Sequence, residues 1–521
     1  MANMRINLSF TLLFKTSFTF AKKNNMTLTV ILIYVGIAAI ILTLITVFAF
    51  KTHKSWLMTF LQNYVGAFFI FSGWVKAVDP LGTAYKMEQY FAEFEATFEA
   101  TWFSFLTPLF PFLSSMAVQF AVLMIIFEII LGIMLIIGSR PKLTSWAFLL
   151  LVAFFTFLTG FTYLTGYVPN GGNFFDFGSW SDYNVNNMRV TDCGCFGDFI
   201  KLAPKVSFFK DVILLFPAFF FLFRYQDFHT CFSSKVRGSV LTVSLIGLVI
   251  YCMSNYVSDI PKLDFRPFKK GADIASQKQA ETDAQANVQV LGFVLENKNS
   301  GEVIQVPYND YLANLANYPS DTWKVTDQVL GEPAIPLTKI SDFDISDIYG
   351  HPATDQLLLE KGPYIMIVCH KTYGSGNQAT KVVEDTVFVM DTIYNDAYQE
   401  GYVIEKNVER IDKNTVSFTN YIWKDYYAKR FEEVIKPFVS DARRNGIKTV
   451  AVIGGADKAK ILDFESDLEL GIDYYVADDI LLKTIVRSNP GIVLWEDGKI
   501  LDKWHYKKLP SFEEVKNLHI K

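Results

Sequence analysis

A chain of 521 residues, 51% hydrophobic and 16% aromatic with a net charge of −5, is long enough for several folding units. It has no extended basic tract, which argues against nucleic acid as a partner. Five cysteines are too few for a disulfide framework, and six scattered histidines show no metal-ligand spacing, so no metal is expected.

Residues 1–25 read as an N-terminal extension without a signal-peptide cleavage pattern, and Met26 is an alternative start to Met1. Residues 26–257 read as a membrane helix bundle. Six apolar runs reach or approach the roughly 20 residues that cross a bilayer. They are Thr27–Phe50, Leu57–Val78, Ser114–Gly138, Thr144–Val168, Ser207–Phe223 and Gly238–Val257; the fifth contains Pro217. Lys51 with Lys54, Arg140 with Lys142, and Arg224 with Lys235 and Arg237 occupy alternate connections, which suits the cytoplasmic side. Asp79–Leu113, Pro169–Val206 and everything after Val257 then face outward. With six spans, Lys22 and Lys23 also fall outside, against that rule, unless the first run is peripheral or re-entrant. Glu128 lies deep in the third run, so it needs protonation, a partner or a cavity. Lys76 is its candidate partner, or it snorkels to the interface. A proton relay and a structural contact between helices are both open for Glu128.

The polar loop after the fourth run holds Asp192-Cys193-Gly194-Cys195-Phe196-Gly197-Asp198. A Cys-x-Cys disulfide closes a tight ring, at or beyond the upper end of the favourable Cα range of about 4.4–6.8 Å, so it is strained and easily reduced. The pair is a redox couple, a packing element of the loop or part of a metal site, and no His or third Cys stands nearby for the last.

These stretches resemble known families. Phe71-Ser72-Gly73-Trp74-Val75-Lys76-Ala77-Val78-Asp79-Pro80-Leu81-Gly82-Thr83 is similar to the first-helix signature of DoxX-type membrane proteins, and Glu128 with Gly132 to their second helix. The Cys-Gly-Cys loop followed by Lys210-Asp211 resembles the related MauE-type proteins. The resemblance covers roughly Leu57 to Phe223 and implies a four-helix core plus flanking helices. Its layout is similar to the vitamin K epoxide reductase bundle, which implies thiol chemistry linked to a quinone carrier.

Residues 258–287 read as a linker opened by Pro261 and Pro267, with Gln277–Asn287 either a short helix or disordered. Residues 288–339 read as a small β/α segment: a hairpin, Val288–Leu295 with Gly301–Val306, and a short helix, Tyr308–Ala316. Residues 340–521 alternate β and α. Strands are expected at Ile340–Ile345, Tyr364–Cys369, Thr415–Thr419, Thr449–Ile453 and Tyr474–Ala477, and a closing hairpin at Gly491–Trp495 with Ile500–Trp504. Helices are expected at Thr354–Glu360, Tyr426–Asn445 (kinked by Pro437), Ala456–Leu468 and Ile480–Val486. Ala379–Asn395 reads as mainly helical, with an extended option for Thr386–Met390.

The order resembles an α/β thioredoxin-like domain, best over Arg487-Ser488-Asn489-Pro490-Gly491-Ile492-Val493-Leu494-Trp495. The resemblance implies a cis Pro490 beside the place of an active dithiol. Here that place reads His370-Lys371-Thr372-Tyr373, with no Cys-x-x-Cys, and Cys369 reads as a buried core thiol. A bundle preceding such a domain is similar to a group of Bacteroidetes proteins.

The expectation is therefore a multi-pass inner-membrane redox protein in contact with lipid. Cys193 and Cys195 would react on the outer surface, Glu128 and Lys76 would manage protons, and a quinone would carry electrons. The periplasmic C-terminal domain would recruit an envelope protein through Asn489, Pro490 and Tyr373. The alternative is a non-catalytic membrane adaptor.

Overall fold

The computed structural model describes residues 27–520 except 100, 170, 191, 192, 332 and 395–401. The expected N-terminal extension and Asp192 lie outside the described residues. The chain divides between Arg266 and Pro267 into two compact units.

The first unit is helical. Its helices are α1 (Leu28–Leu44), α2 (Trp56–Val78), α3 (Pro80–Glu99), α4 (Leu109–Ser115), α5 (Ala117–Ile137), α6 (Pro141–Leu164), α7 (Pro204–Arg224) and α8 (Ser234–Met253). A π-helical turn, Ile45–Phe50, prolongs α1. Among the described residues, five helical segments are long and apolar enough to cross a membrane, namely those built on α1, α5, α6, α7 and α8. These support a multi-pass membrane protein. The remaining expected span, α2, is 23 residues long but falls short of that apolarity. It carries Gln62, Asn63, Ser72 and Lys76, all turned into the bundle and buried. α7 runs unbroken past Pro217.

The basic connections meet at one end of the bundle. Lys54 Nζ donates to the Gln226 carbonyl at 2.6 Å, and the Cys231 N–H donates to the Ile137 carbonyl at 3.0 Å. At the other end of α2, the Asn255 side chain beyond α8 donates to the Ala77 carbonyl at 3.0 Å.

The second unit is rich in sheet. β1 (Val290–Asn297), β2 (Val303–Pro307) and β3 (Trp323–Leu330) form an antiparallel sheet in the order β2-β1-β3. β3 was not legible as a strand, because its central residues are all exposed and give no buried period. The stretch expected as a linker holds a 13-residue helix, α9 (Ile274–Ala286), whose first two N–H groups bond to the Gly498 carbonyl, while the Gly271 N–H before it bonds to the Ile500 carbonyl. α10 (Tyr308–Ala313) follows β2.

The main sheet has the order β11-β10-β5-β8-β9-β4. Its strands are β4 (Ile345–Asp347), β5 (Pro363–Cys369), β8 (Lys448–Gly454), β9 (Asp473–Ala477), β10 (Gly491–Glu496) and β11 (Lys499–His505). β5, β8 and β9 are parallel, and β4, β10 and β11 pair antiparallel. Helices α11 (Thr354–Leu358), α12 (Asp425–Arg430), α13 (Lys436–Arg444), α14 (Lys458–Leu468), α15 (Asp479–Ile485) and α16 (Phe512–His519) accompany it. β5 and β8 are buried along almost their whole length, as expected of parallel strands covered on both faces.

Two expectations are overturned, the first at Ile340–Ile345, where turn and loop run to Asp344 and β4 starts only at Ile345. Of the segment Ala379–Asn395, expected as mainly helical, the described residues Ala379–Tyr394 are extended, and Asn395 lies outside the described residues. Gly374–Tyr394 is a single 21-residue strand, β6, paired antiparallel with β7 (Tyr402–Trp423). The β-branched and aromatic run Thr386-Val387-Phe388-Val389 favours extension, and the cross-strand partner decides the matter.

Candidate functional site

Close packing of α2 on α5 creates the site. A Cβ on Gly66 would lie 2.8 Å from the Gly132 carbonyl oxygen, and one on Gly73 would lie 2.5 Å from Ile129 Cγ1. Only glycine lets the backbones approach this far. The approach brings Lys76 Nζ to 2.6 Å from Glu128 Oε2, with side chains 7% and 2% exposed. Glu128 therefore has both a partner and a cavity, and Lys76 does not snorkel. The Lys76 ammonium also stands 4.9 Å from the centre of the Phe155 ring.

The thiol loop folds over this pair. Gly194 takes φ +60°, a left-handed conformation that glycine adopts without strain. Its carbonyl accepts from the Gly197 N–H at 3.1 Å. Phe196 is buried as a plug, with ring centres 5.8 Å from Phe68 and 6.3 Å from Phe71. Ser72 Oγ donates to the Cys195 carbonyl at 3.1 Å. Cys193 and Cys195 are unbridged and partly exposed.

Beneath the loop α7 contributes a second ion pair, Lys210 with Asp211, and Thr159 Oγ1 donates to Asp211 Oδ2 at 3.0 Å. Lys76, Glu128, Lys210, Asp211, Cys193 and Cys195 all line one narrow cavity of about 60 Å³. That is room for a few waters. Burial pushes the Cys195 thiol up, and the Lys210 ammonium is the strongest influence pulling it down. Asp211 adds to the rise, whereas Lys76 and the Ser207 hydroxyl oppose it.

The structure thus gathers Cys193, Cys195, Lys76 and Glu128 in one place. Sequence reasoning gave Lys210 and Asp211 no role and missed Thr159. The available signal was an adjacent pair of opposite charges inside an apolar helix, which needs partners in a bundle.

The residues singled out in the second unit form a closed cluster. The Asn489–Pro490 bond is cis, as expected, and both residues are buried. Asn489 Nδ2 donates to the Lys371 carbonyl at 2.6 Å, and Arg430 donates to the Asn489 carbonyl at 2.5 Å. These bonds shut the surface beside Pro490. Tyr373 is half-buried against Tyr427, with ring centres 5.2 Å apart. Cys369 is fully buried, and burial pushes its thiol up to about 12.

Residues 54–174 match the family model described as Methylamine utilisation protein MauE. The match covers the segment from the start of α2 through α6 and stops short of the cysteine pair. No curated protein and no solved structure matches the chain.

Proposed function

We propose that the first unit is a membrane thiol–disulfide oxidoreductase whose reacting groups are Cys193 and Cys195. The observation that supports this most is the shared cavity, where two partly exposed thiols meet two buried ion pairs. Thiolates are the reactive form, and nearby ammonium groups favour them. In the reaction, the Cys193 thiolate attacks a partner disulfide and displaces one partner thiolate. Cys195 then gives up its proton and attacks the Cys193 sulfur, releasing the second. One disulfide forms, one is reduced, and two electrons pass to the partner. The Lys76–Glu128 and Lys210–Asp211 pairs hold the charge of the Cys195 thiolate and take up its proton.

A quinone is a poor fit to the cavity, whose roughly 60 Å³ is well below the about 300–1,000 Å³ of small-molecule sites. No step is assigned to one. In this reading α2, α5, α6 and α7 are the four-helix core, of which the MauE match reaches α2, α5 and α6, and the basic connections are cytoplasmic. The second unit is a thioredoxin-like domain, supported by its strand order and by the position of Pro490. It sits on the outer, periplasmic side and has no dithiol of its own.

Thiol trapping followed by mass spectrometry tests the proposal. The pair should move between dithiol and disulfide as the redox poise of the membranes is stepped. A pair that stays in one state at every poise rules the reaction out. The adaptor reading has one observation in its favour, the missing dithiol with a deeply buried Cys369. It predicts that Cys193→Ser/Cys195→Ser protein remains fully functional in cells.

A further inference from the structure

The end of the bundle remote from the thiols holds an open cleft of about 1,050 Å³. Lys54, Arg140, Lys142, Leu143, Trp146 and Tyr225 line it. They come from three places in the chain: the α1–α2 connection, the α5–α6 connection with the first turns of α6, and the turn after α7. We propose that this cleft binds the phosphate headgroup of an anionic phospholipid.

Four features argue for a phosphate carried on a lipid. First, the cleft lies where two membrane-crossing helices, α6 and α7, begin and end, which is headgroup depth. Second, two of its three cations are available, since Lys54 is held by the Gln226 carbonyl. Asp227, at the end of α7, is taken up by Arg224 at 2.5 Å, and Arg140 and Lys142 make no ion pair among the described residues. Third, no side chain caps the start of α6, whose first residues Pro141, Lys142 and Leu143 line the cleft, so the positive end of that helix lies at its wall. Fourth, one wall is apolar: Leu143 is 53% and Trp146 48% exposed. A soluble anion gains nothing from that wall, whereas the glycerol and upper acyl carbons of a lipid do. Trp146 and Tyr225 also have the amphipathic rings that settle at this depth.

Cations at this end also satisfy the rule that orients membrane proteins, and Lys51 and Lys235 serve that purpose as exposed residues outside the cleft. They supply the control. Full-length protein in detergent is incubated with phosphatidylglycerol, phosphatidylcholine or inorganic phosphate, and retained molecules are counted by native mass spectrometry.

Phosphatidylglycerol is expected to be retained in preference to both alternatives. R140Q/K142Q should weaken its retention about thirtyfold and K142Q alone about fivefold, at roughly one factor of five per surface cation. K51Q/K235Q should leave it unchanged. Lys142 is exposed, so K142Q tests the site even where the double variant assembles poorly. Equal retention of phosphatidylcholine overturns the proposal. So does an equal loss in K51Q/K235Q, or retention of inorganic phosphate without the lipid, which would make the cleft a site for a soluble anion.

Discussion

The Lys76–Glu128 pair, 2.6 Å long and almost wholly buried, stabilises the bundle only while both members are present. Removing one leaves a charge without its counterion, which typically costs about 3–5 kcal/mol, whereas replacing both with apolar groups is often neutral. Lys76→Met should therefore lower the thermal midpoint of the purified protein sharply, and Lys76→Met/Glu128→Leu should recover most of the loss. Equal midpoints for the single and double variants would show that the two residues are not coupled. His370 poses the converse case in the second unit. Burial first, then the cations Lys483 and Arg487, hold its imidazole down to about 3 from the ordinary 6.5. The folded form binds the proton less well than the unfolded form. Its contribution is therefore present above pH 6.5 and is lost as pH falls toward 3. Between pH 7 and 4.5 the stability advantage of wild type over His370→Asn should shrink by about 2–3 kcal/mol, at 1.36 kcal/mol per unit. Chemical denaturation at the two pH values reads this directly.

At the scale of elements, the α2–α5 contact and the β6–β7 ribbon mark the limits of what the sequence revealed. Gly66 and Gly247 look alike in sequence, each a glycine in an apolar helix. Gly66 faces the Gly132 carbonyl, while a Cβ on Gly247 meets nothing within 4 Å. Gly66→Ala should cost about 1–3 kcal/mol through overpacking, and Gly247→Ala should be neutral or slightly stabilising. Thermal unfolding of the two variants side by side separates them. The long apolar runs were legible because a helix in lipid needs only length and apolarity. The contact between Lys76 and Glu128, 52 positions apart, was legible because isolated charges in such runs demand partners. The ribbon was not legible. Its strands, roughly 70 Å long at 3.3 Å per residue, are exposed at most of their described residues. Phe388, Met390, Tyr394, Ile404, Val408 and Ile411 share one face and are all exposed. With no buried face there is no strict alternation to read. Only the base is anchored, where Trp423 packs on Phe464 at 4.9 Å. Replacing residues 379–418 by a two-residue turn should leave the second unit's melting transition nearly unchanged, since Gly374 and Trp423 still pair. A large drop would mean that the ribbon supports the main sheet.

For the whole molecule, the crossings constrain what can meet. Two helices long and apolar enough to cross a membrane, α7 and α8, separate the thiol loop from the chain beyond Arg266. An even number of crossings returns the chain to the side it left, whatever α1 and α2 do. If α6, α7 and α8 all cross, as the proposed function requires, the thiol loop and the chain beyond Arg266 face the same compartment, and the cleft around Lys142 faces the other. On the proposed reading a thiol loop and a globular unit in one compartment can act on one substrate, and the cytoplasmic preference of Lys and Arg assigns them to the oxidising side. A membrane-impermeant maleimide added outside spheroplasts should label Cys193, and protease added from that side should remove the segment beyond Arg266. A cysteine placed by Lys142→Cys should stay unlabelled until the membrane is opened. If that cysteine and Cys193 label together from outside, α6 does not cross, and the separation of thiol chemistry from the cationic cleft fails with it.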